Sequence, residues 1–205
     1  MSHFVHIVDD DAAVRTSLYT LLSTRSDLLL RSFRSGDDFL ASLPELEGGV
    51  VLLDIHMPGT SGLDVLRLLQ KHDVPFASVI ITGQGDIQIA VQAMKLGAID
   101  FVEKPYDHDA LFAALDSGIT RLDRDAAAAE RTRSAKALID ALSEREREVL
   151  HQLLEGRANK QIAYALDVSP RTVEVHRANL MAKLRARSLP EAVRLAFAAG
   201  IVGSD

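Results

Sequence analysis

The sequence of 205 residues contains no cysteine and no tryptophan, and aromatic residues make up only 5% of it. Without cysteine there is no disulfide, thiolate zinc site, iron–sulfur cluster or cysteine nucleophile. That composition suits a reducing cytoplasm. No apolar run approaches the ~18 residues of a membrane-spanning helix. The first residues, Met1-Ser2-His3-Phe4-Val5, lack the basic segment and apolar stretch of a secretory signal. A cytoplasmic chain without membrane contact is therefore expected.

What is present is globular in kind, with 47% hydrophobic and 25% charged residues. At ~100–200 residues per domain, the length suits one large or two small domains. The net charge of −6 is unevenly spread. Residues 1–121 hold 9 Lys or Arg against 17 Asp or Glu, a net −8. Residues 122–205 hold 14 against 12, a net +2, and within them 157–194 reach +5 from 8 basic and 3 acidic residues. An acidic first half and a locally basic second half point to two modules with different partners, the second facing nucleic acid.

Through the first half, short apolar runs alternate with segments of helical spacing. Strands are predicted at 3–8, 28–33, 50–53, 77–81 and 99–102. Helices are predicted at 12–22, 37–43 (ended by Pro44), 63–70 and 86–96, with a fifth opening at Asp107. Five β–α units in succession predict a parallel sheet with helices on both faces. The runs VVLL and SVII have no polar face, as strands buried on both sides require. In such sheets ligands bind beyond the carboxyl ends of the strands. The polar residues at those ends are Asp9 and Asp10, Asp54, Thr82 and Lys104. All of them therefore fall on one edge of the sheet.

Taken singly, each has an ordinary explanation: an Asp at a strand end caps a turn or helix, and Lys-Pro makes a surface turn. An acidic pair, an Asp, a Thr and a Lys, each after a separate strand and in that order, form a specific pattern. Neighbouring carboxylates repel one another. A hard cation such as Mg²⁺, which favours oxygen ligands, resolves the conflict. The Asp54 carboxylate can then attack phosphorus while Mg²⁺ and Lys104 offset the charge on the transferring oxygens and Thr82 bonds one of them. Two other chemistries fit such a sheet less well. An aspartyl-phosphate hydrolase wants a second acid two residues beyond its nucleophile, where this chain has His56. A flavin site needs a phosphate-cradling loop after the first strand, where Asp9, Asp10 and Asp11 repel phosphate.

Residues 116–142 are rich in Ala, Arg and Asp, with no Pro and one Gly, Gly118. A helical extension of the fifth helix and a flexible linker fit them equally. Beyond them the chain reads as all-helical. Ser143-Glu144-Arg145-Glu146 is a capping box opening a helix to Leu154. A short helix at 159–166, a turn at Asp167-Val168 and a helix from Arg171 to about Arg185 make a helix-turn-helix. Ser169-Pro170 supplies the N-cap and first-turn proline of the longer helix. A final helix starts at Ser188-Leu189-Pro190-Glu191. On a helical wheel, Val173, Leu180 and Leu184 form a core face flanked by His176, which reads as a packed, hydrogen-bonded residue. The opposite face carries Arg171, Val175, Ala178, Ala182 and Arg185, flanked by Glu174 and Asn179. Small residues permit close approach to a groove floor. Asn179 suits adenine, Glu174 suits cytosine N4 and Val175 suits a thymine methyl.

The motifs IVDDD, LLDIHMPGTSGLD, IITGQGD, AMKLGAIDF and EKP, across residues 3 to about 121, resemble the receiver domain of two-component response regulators. LSEREREVL, NKQIAYALDVSPRTVEVHRANLMAKL and SLPEAVRLA resemble the LuxR-type helix-turn-helix, across about 140–199. Together they resemble the NarL/FixJ family of response regulators. The resemblance implies a flavodoxin-like, doubly wound, five-stranded sheet of order 2-1-3-4-5. Residues 1–121 would form the receiver, 122–140 a helical linker and 141–205 the DNA-binding domain. It implies that Asp54 is the phosphoacceptor, that Asp10 binds Mg²⁺ directly and Asp9 mainly through water, and that the His56 backbone carbonyl completes the ligands. Thr82 and Phe101 would be the switch pair, with Lys104 on the phosphoryl group. Asp11 stands where many relatives carry Glu and reads as the cap of the first helix.

In the second domain, Lys160 and Lys183 match positions that meet backbone phosphates, and Thr172 joins Arg171, Glu174, Val175, Ala178 and Asn179 in the DNA-binding set. The implied function is phosphorylation-activated transcription control by a non-enzyme, with homodimerisation through the receiver and RNA polymerase and promoter DNA as partners. SPRTVEVHRANLMAKL and GDIQIAVQAMKLGAIDFVEKP look like the nitrogen-fixation and microaerobic activators of the family, which implies a haem-containing, FixL-like sensor histidine kinase as phosphodonor. A family member answering another stimulus is the alternative. A constitutive DNA-binding protein with a silent receiver is disfavoured by the complete phosphoacceptor set.

Overall fold

The computed structural model describes residues 2–83 and 87–201. The helix start expected at Asp86, the motif residues Gln84 to Asp86, the Ile87 side chain and the last four residues of the expected DNA-binding domain lie outside the described residues. The chain divides into two compact units, Met1–Asp125 and Ala126–Asp205.

The first unit is a parallel sheet of β1 (His3–Val8), β2 (Leu28–Phe33), β3 (Gly49–Asp54), β4 (Phe76–Thr82) and β5 (Asp100–Glu103) in the order β2-β1-β3-β4-β5. Successive side chains of a strand point to opposite faces, so apolar runs feed two cores. Val50 and Leu52 of β3 pack with Leu18 and Leu22 of α1 (Ala12–Leu22) and with Leu111 and Leu115 of α5 (His108–Asp140). Val51 and Leu53 pack on the other face with Phe39 of α2 (Gly36–Ser42), Val65 and Leu66 of α3 (Gly62–Leu69) and Ala93 of α4 (Ile87–Lys95). β3 is buried along its whole length.

Strand ends differ from the sequence expectation in a way that matters for the site. β3 and β4 each continue one residue further, so Asp54 and Thr82 are the last residues of their strands rather than loop residues. The parallel ladder explains this: Asp54 lies opposite Ile81, and Thr82 opposite Glu103. Pro44 does not end α2 directly. It sits inside a 3-10 turn, Leu43–Glu45, that follows the helix.

The second unit contains α6 (Glu144–Leu154), α7 (Asn159–Ala165), α8 (Pro170–Lys183) and α9 (Leu189–Ala198), packed around Val149, Leu150, Ile162, Val173, Leu180 and Ala196. Ala135 and Ile139, from the last turns of α5, belong to the same core. Residues 122–140 are thus helical, as part of α5. Ser143 and Glu146 form the expected capping box. Ser169 accepts from the Thr172 amide at 3.0 Å, with Pro170 in the first turn. α8 stops two residues earlier than its pattern suggests, because Arg185 takes a left-handed backbone (φ 54) just past Leu184. Among the described residues, no helix is long and apolar enough to cross a membrane.

Candidate phosphoacceptor site and nucleic-acid interface

β1, β3 and β5 bring Asp9, Asp54 and Lys104 together at the carboxyl edge of the sheet. The Lys104 ammonium donates to Asp54 Oδ1 at 2.6 Å and to Asp9 Oδ2 at 2.7 Å. Both carboxylates are buried, Asp9 to 1% and Asp54 to 5% exposure. The backbone reinforces this grouping: the Lys104 amide donates to the Thr82 carbonyl at 2.7 Å, and Thr82 is itself buried. The Asp11 amide donates to the second Asp9 oxygen at 2.8 Å, while Asp11 caps α1 through the amide of Ala13.

Desolvation is the main force on Asp9 and Lys104. It raises the Asp9 carboxyl above its ordinary range against the opposing bond from Lys104, with the Asp54 charge adding to the rise. Burial pulls the Lys104 ammonium down, but its bonds to Asp54 and Asp9 outweigh that and leave it above its ordinary value. Two buried carboxylates facing one ammonium carry one net negative charge. An acidic, oxygen-only donor set of this kind fits a hard divalent cation such as Mg²⁺. Asp10 is exposed, and among the described residues no three His, Cys, Asp or Glu side chains are already gathered as a metal cluster. The His56 side chain is exposed too; its expected role needs only the main-chain carbonyl. Phe101 stands 47% exposed on β5.

Two supporting residues escape sequence reasoning. Arg15 of α1 donates to the Asp9 carbonyl at 2.7 Å. Gly62, at the start of α3, lies so near β3 that a Cβ there would come within 2.2 Å of the Asp54 carbonyl oxygen. Only glycine permits that approach. The LLDIHMPGTSGLD stretch contains both Asp54 and Gly62, but nothing in its spacing shows that they touch.

In the second unit, α8 separates its faces as its period requires. Val173, Leu180 and Leu184 are buried, while Arg171, Glu174, Val175, Ala178 and Asn179 are exposed. Lys160 of α7 is exposed as well. Arg177 is half-buried and donates to Asn159 Oδ1 at 3.1 Å, which ties α8 to α7. His176 is only half-buried, and no hydrogen bond of its ring is found among the described residues, unlike the packed and bonded residue expected. The Thr172 hydroxyl is engaged with Ser169 at 2.8 Å. Lys183, whose side chain is 43% exposed, donates to the buried Glu146 at 2.7 Å.

The sheet edge thus pairs a buried carboxylate with an ammonium at 2.6 Å, and the second unit presents an exposed helix-turn-helix face. Residues 5–116 match the response regulator receiver domain, and residues 140–196 match the luxR family of bacterial regulatory proteins. The chain belongs to the NarL/FixJ family of response regulators, which are phosphorylation-regulated transcription regulators and not enzymes. It is 45% identical over 196 residues to the transcriptional regulatory protein FixJ of Rhizobium meliloti (strain 1021), covering 96% of each chain. Among solved structures, full-length FixJ from B. japonicum matches at 42% identity with a TM-score of 0.61, covering 98% of this chain and 100% of that one. The response regulator StyR matches at 37% identity with a TM-score of 0.82, covering 96% and 99%.

Proposed function

We propose that this chain is a FixJ-like activator in which phosphorylation of Asp54 switches on promoter binding. The observation that carries this reading is the pair of buried carboxylates, Asp9 and Asp54, bridged by Lys104 at the edge of the sheet. The Asp54 carboxylate attacks the phosphorus of a phosphohistidine on a sensor kinase. A P–O bond forms at Asp54, the P–N bond breaks and the imidazole leaves. Lys104 neutralises a phosphoryl oxygen, and the Thr82 hydroxyl accommodates another. Asp9, Asp10, Asp54 and the His56 carbonyl would hold Mg²⁺, whose charge offsets that of the transferring phosphoryl group.

Phosphorylation draws Thr82 toward the new oxygens, and Phe101, now 47% exposed, turns inward. That change lets two receivers pair, so two linked helix-turn-helix units engage two half-sites with effective concentrations of ~mM order. Arg171, Thr172, Glu174, Val175, Ala178 and Asn179 of α8 address the major groove, and Lys160 a backbone phosphate. RNA polymerase is the downstream partner.

The 45% identity to FixJ over nearly the whole chain supports a haem-containing, FixL-like kinase as donor and nitrogen-fixation or microaerobic promoters as targets. A family member with another stimulus is the competing reading. Transphosphorylation tests the choice. A haem-containing sensor kinase should label the wild-type chain, and not Asp54→Asn, in preference to kinases of other sensor classes. Equal labelling by unrelated kinases would remove the FixJ-like assignment.

A further inference from the structure

Glu146 is the least exposed charged group among the described residues of the second unit, at 4% exposure. It lies in the first turn of α6, and its Oε2 accepts two bonds. One comes from the Ser143 amide at 2.7 Å and closes the capping box. The other comes from the Lys183 ammonium, also at 2.7 Å. Lys183 is the final residue of α8, immediately before buried Leu184 and the left-handed Arg185. One carboxylate oxygen thus fastens the start of α6 to the end of the helix proposed to read DNA. The Lys183 charge is met within the protein, 37 residues away in sequence.

We infer that Lys183 is a positioning residue for α8, acting through Glu146, and not a ligand of a DNA phosphate. The inference rests on the reading of α8 as the recognition helix and assigns one of its residues a different task. A recognition helix reads bases only if its exposed face enters the groove at a set angle. Val173 and Leu180 fix the depth of α8 against the core, and Arg177 ties its middle to α7. The Glu146–Lys183 pair fixes its far end. Apolar packing tolerates sliding and rotation. A charge-assisted bond to a carboxylate already held by a capping box restricts both.

The two roles predict different behaviour in salt. A phosphate ligand releases counterions, so its removal lowers the slope of log K against log salt by about 1. A positioning residue leaves that slope unchanged and lowers the preference for specific over non-specific DNA. The experiment uses the full-length, phosphorylated chain, a duplex selected by the wild type from a randomised library and a mixed-sequence duplex of equal length. Variants are Lys183→Met, Lys183→Arg, Glu146→Gln and the double Glu146→Gln/Lys183→Met. Gln at position 146 retains the capping box and removes only the charge, which protects the fold.

The expected result is a loss of about three- to tenfold in affinity for the selected duplex in both Lys183→Met and Glu146→Gln. The salt slope and mixed-sequence affinity stay at wild-type values, the double variant is no worse than either single one, and Lys183→Arg restores binding. A slope lower by about 1 in Lys183→Met, with Glu146→Gln binding as tightly as wild type, would overturn the inference and restore the phosphate contact. Equal losses on both duplexes would overturn it too, by showing a merely structural pair. A wild type that selects no sequence at all would overturn the reading of α8 itself, and is told apart because no variant is needed to see it.

Discussion

The two units hold their polar residues in opposite ways. At the sheet edge of the first, Asp9 and Asp54 are buried, and the cation that meets them comes from 95 and 50 residues away in sequence. On α8 of the second, Glu174, Val175 and Asn179 are exposed on a single helix whose other face is core. The first arrangement concentrates unbalanced charge where water cannot screen it, so a small change in charge has a large effect on neighbouring strands. The second keeps its chemistry in water, ready for an outside partner, and leaves stability to the residues behind it. The switch and the reader proposed above would need those different dielectrics.

A graded series of substitutions presses on that contrast, ending with the weakest. Leu180→Ala removes a fully buried side chain from behind the reading face and should destabilise the second unit by ~2–5 kcal/mol. Thermal unfolding of the full chain reads this as an early transition. Lys104→Ala leaves two buried carboxylates without their cation. Breaking a buried pair from one side costs about 3–5 kcal/mol when fully buried, and the 25% exposure of Lys104 reduces this to ~2–3 kcal/mol. Replacing Asp9 by Asn in the same chain should recover part of the loss.

Asn179→Ala should do the reverse of Leu180→Ala. The melting profile stays at the wild-type value, while discrimination at individual operator positions falls by ~1–3 kcal/mol, seen by selection from a randomised duplex library. Lys160→Ala should weaken every sequence alike and lower the salt slope by about 1.

The smallest effect concerns a buried base outside the site. His6 of β1 is fully buried among Phe33, Phe39 and Phe76, and its Nε2 faces the Glu47 carbonyl at 3.0 Å while Nδ1 has no hydrogen-bond partner among the described residues. Burial holds its pKa below the ordinary value, against the Glu47 bond and with help from Arg31. The unfolded chain therefore binds the proton more readily than the folded one. Stability present above about pH 6.5, the ordinary histidine value, is lost as the pH falls below it toward the lowered folded value. The receiver transition should fall in temperature between pH 7.5 and 5.5 by a few degrees, and His6→Leu should flatten that dependence.

How much of this was legible in the sequence follows from where each signal is stored. β1, α1 and β2 match their predicted limits because apolar runs and helical periods are local patterns. The edge residues Asp9, Asp54, Thr82 and Lys104 were visible because parallel strands all end on one side. α8 declared its two faces through its period alone. Contacts between distant segments left no such trace. Arg15 on the Asp9 carbonyl, Gly62 against the Asp54 carbonyl and Lys183 on Glu146 are consequences of packing. Lys183 shows the difference most clearly: its match to the family suggests a phosphate contact, and only the folded chain reveals a carboxylate within reach. The one-residue extensions of β3 and β4 have the same origin, since a strand ends where its neighbour's ladder ends.

The reading proposed above makes Asp54, buried beside Asp9 and Lys104, the control on α8 of the second unit. Operator binding by the full-length chain, measured with Mg²⁺ and with or without a small-molecule phosphodonor, tests it directly against Asp54→Asn. The donor should tighten binding of the wild type at least tenfold, by joining two half-site contacts, and leave Asp54→Asn at its basal affinity. An equal response to the donor in Asp54→Asn, or a phosphorylated wild type that binds no better than the unphosphorylated chain, would contradict it.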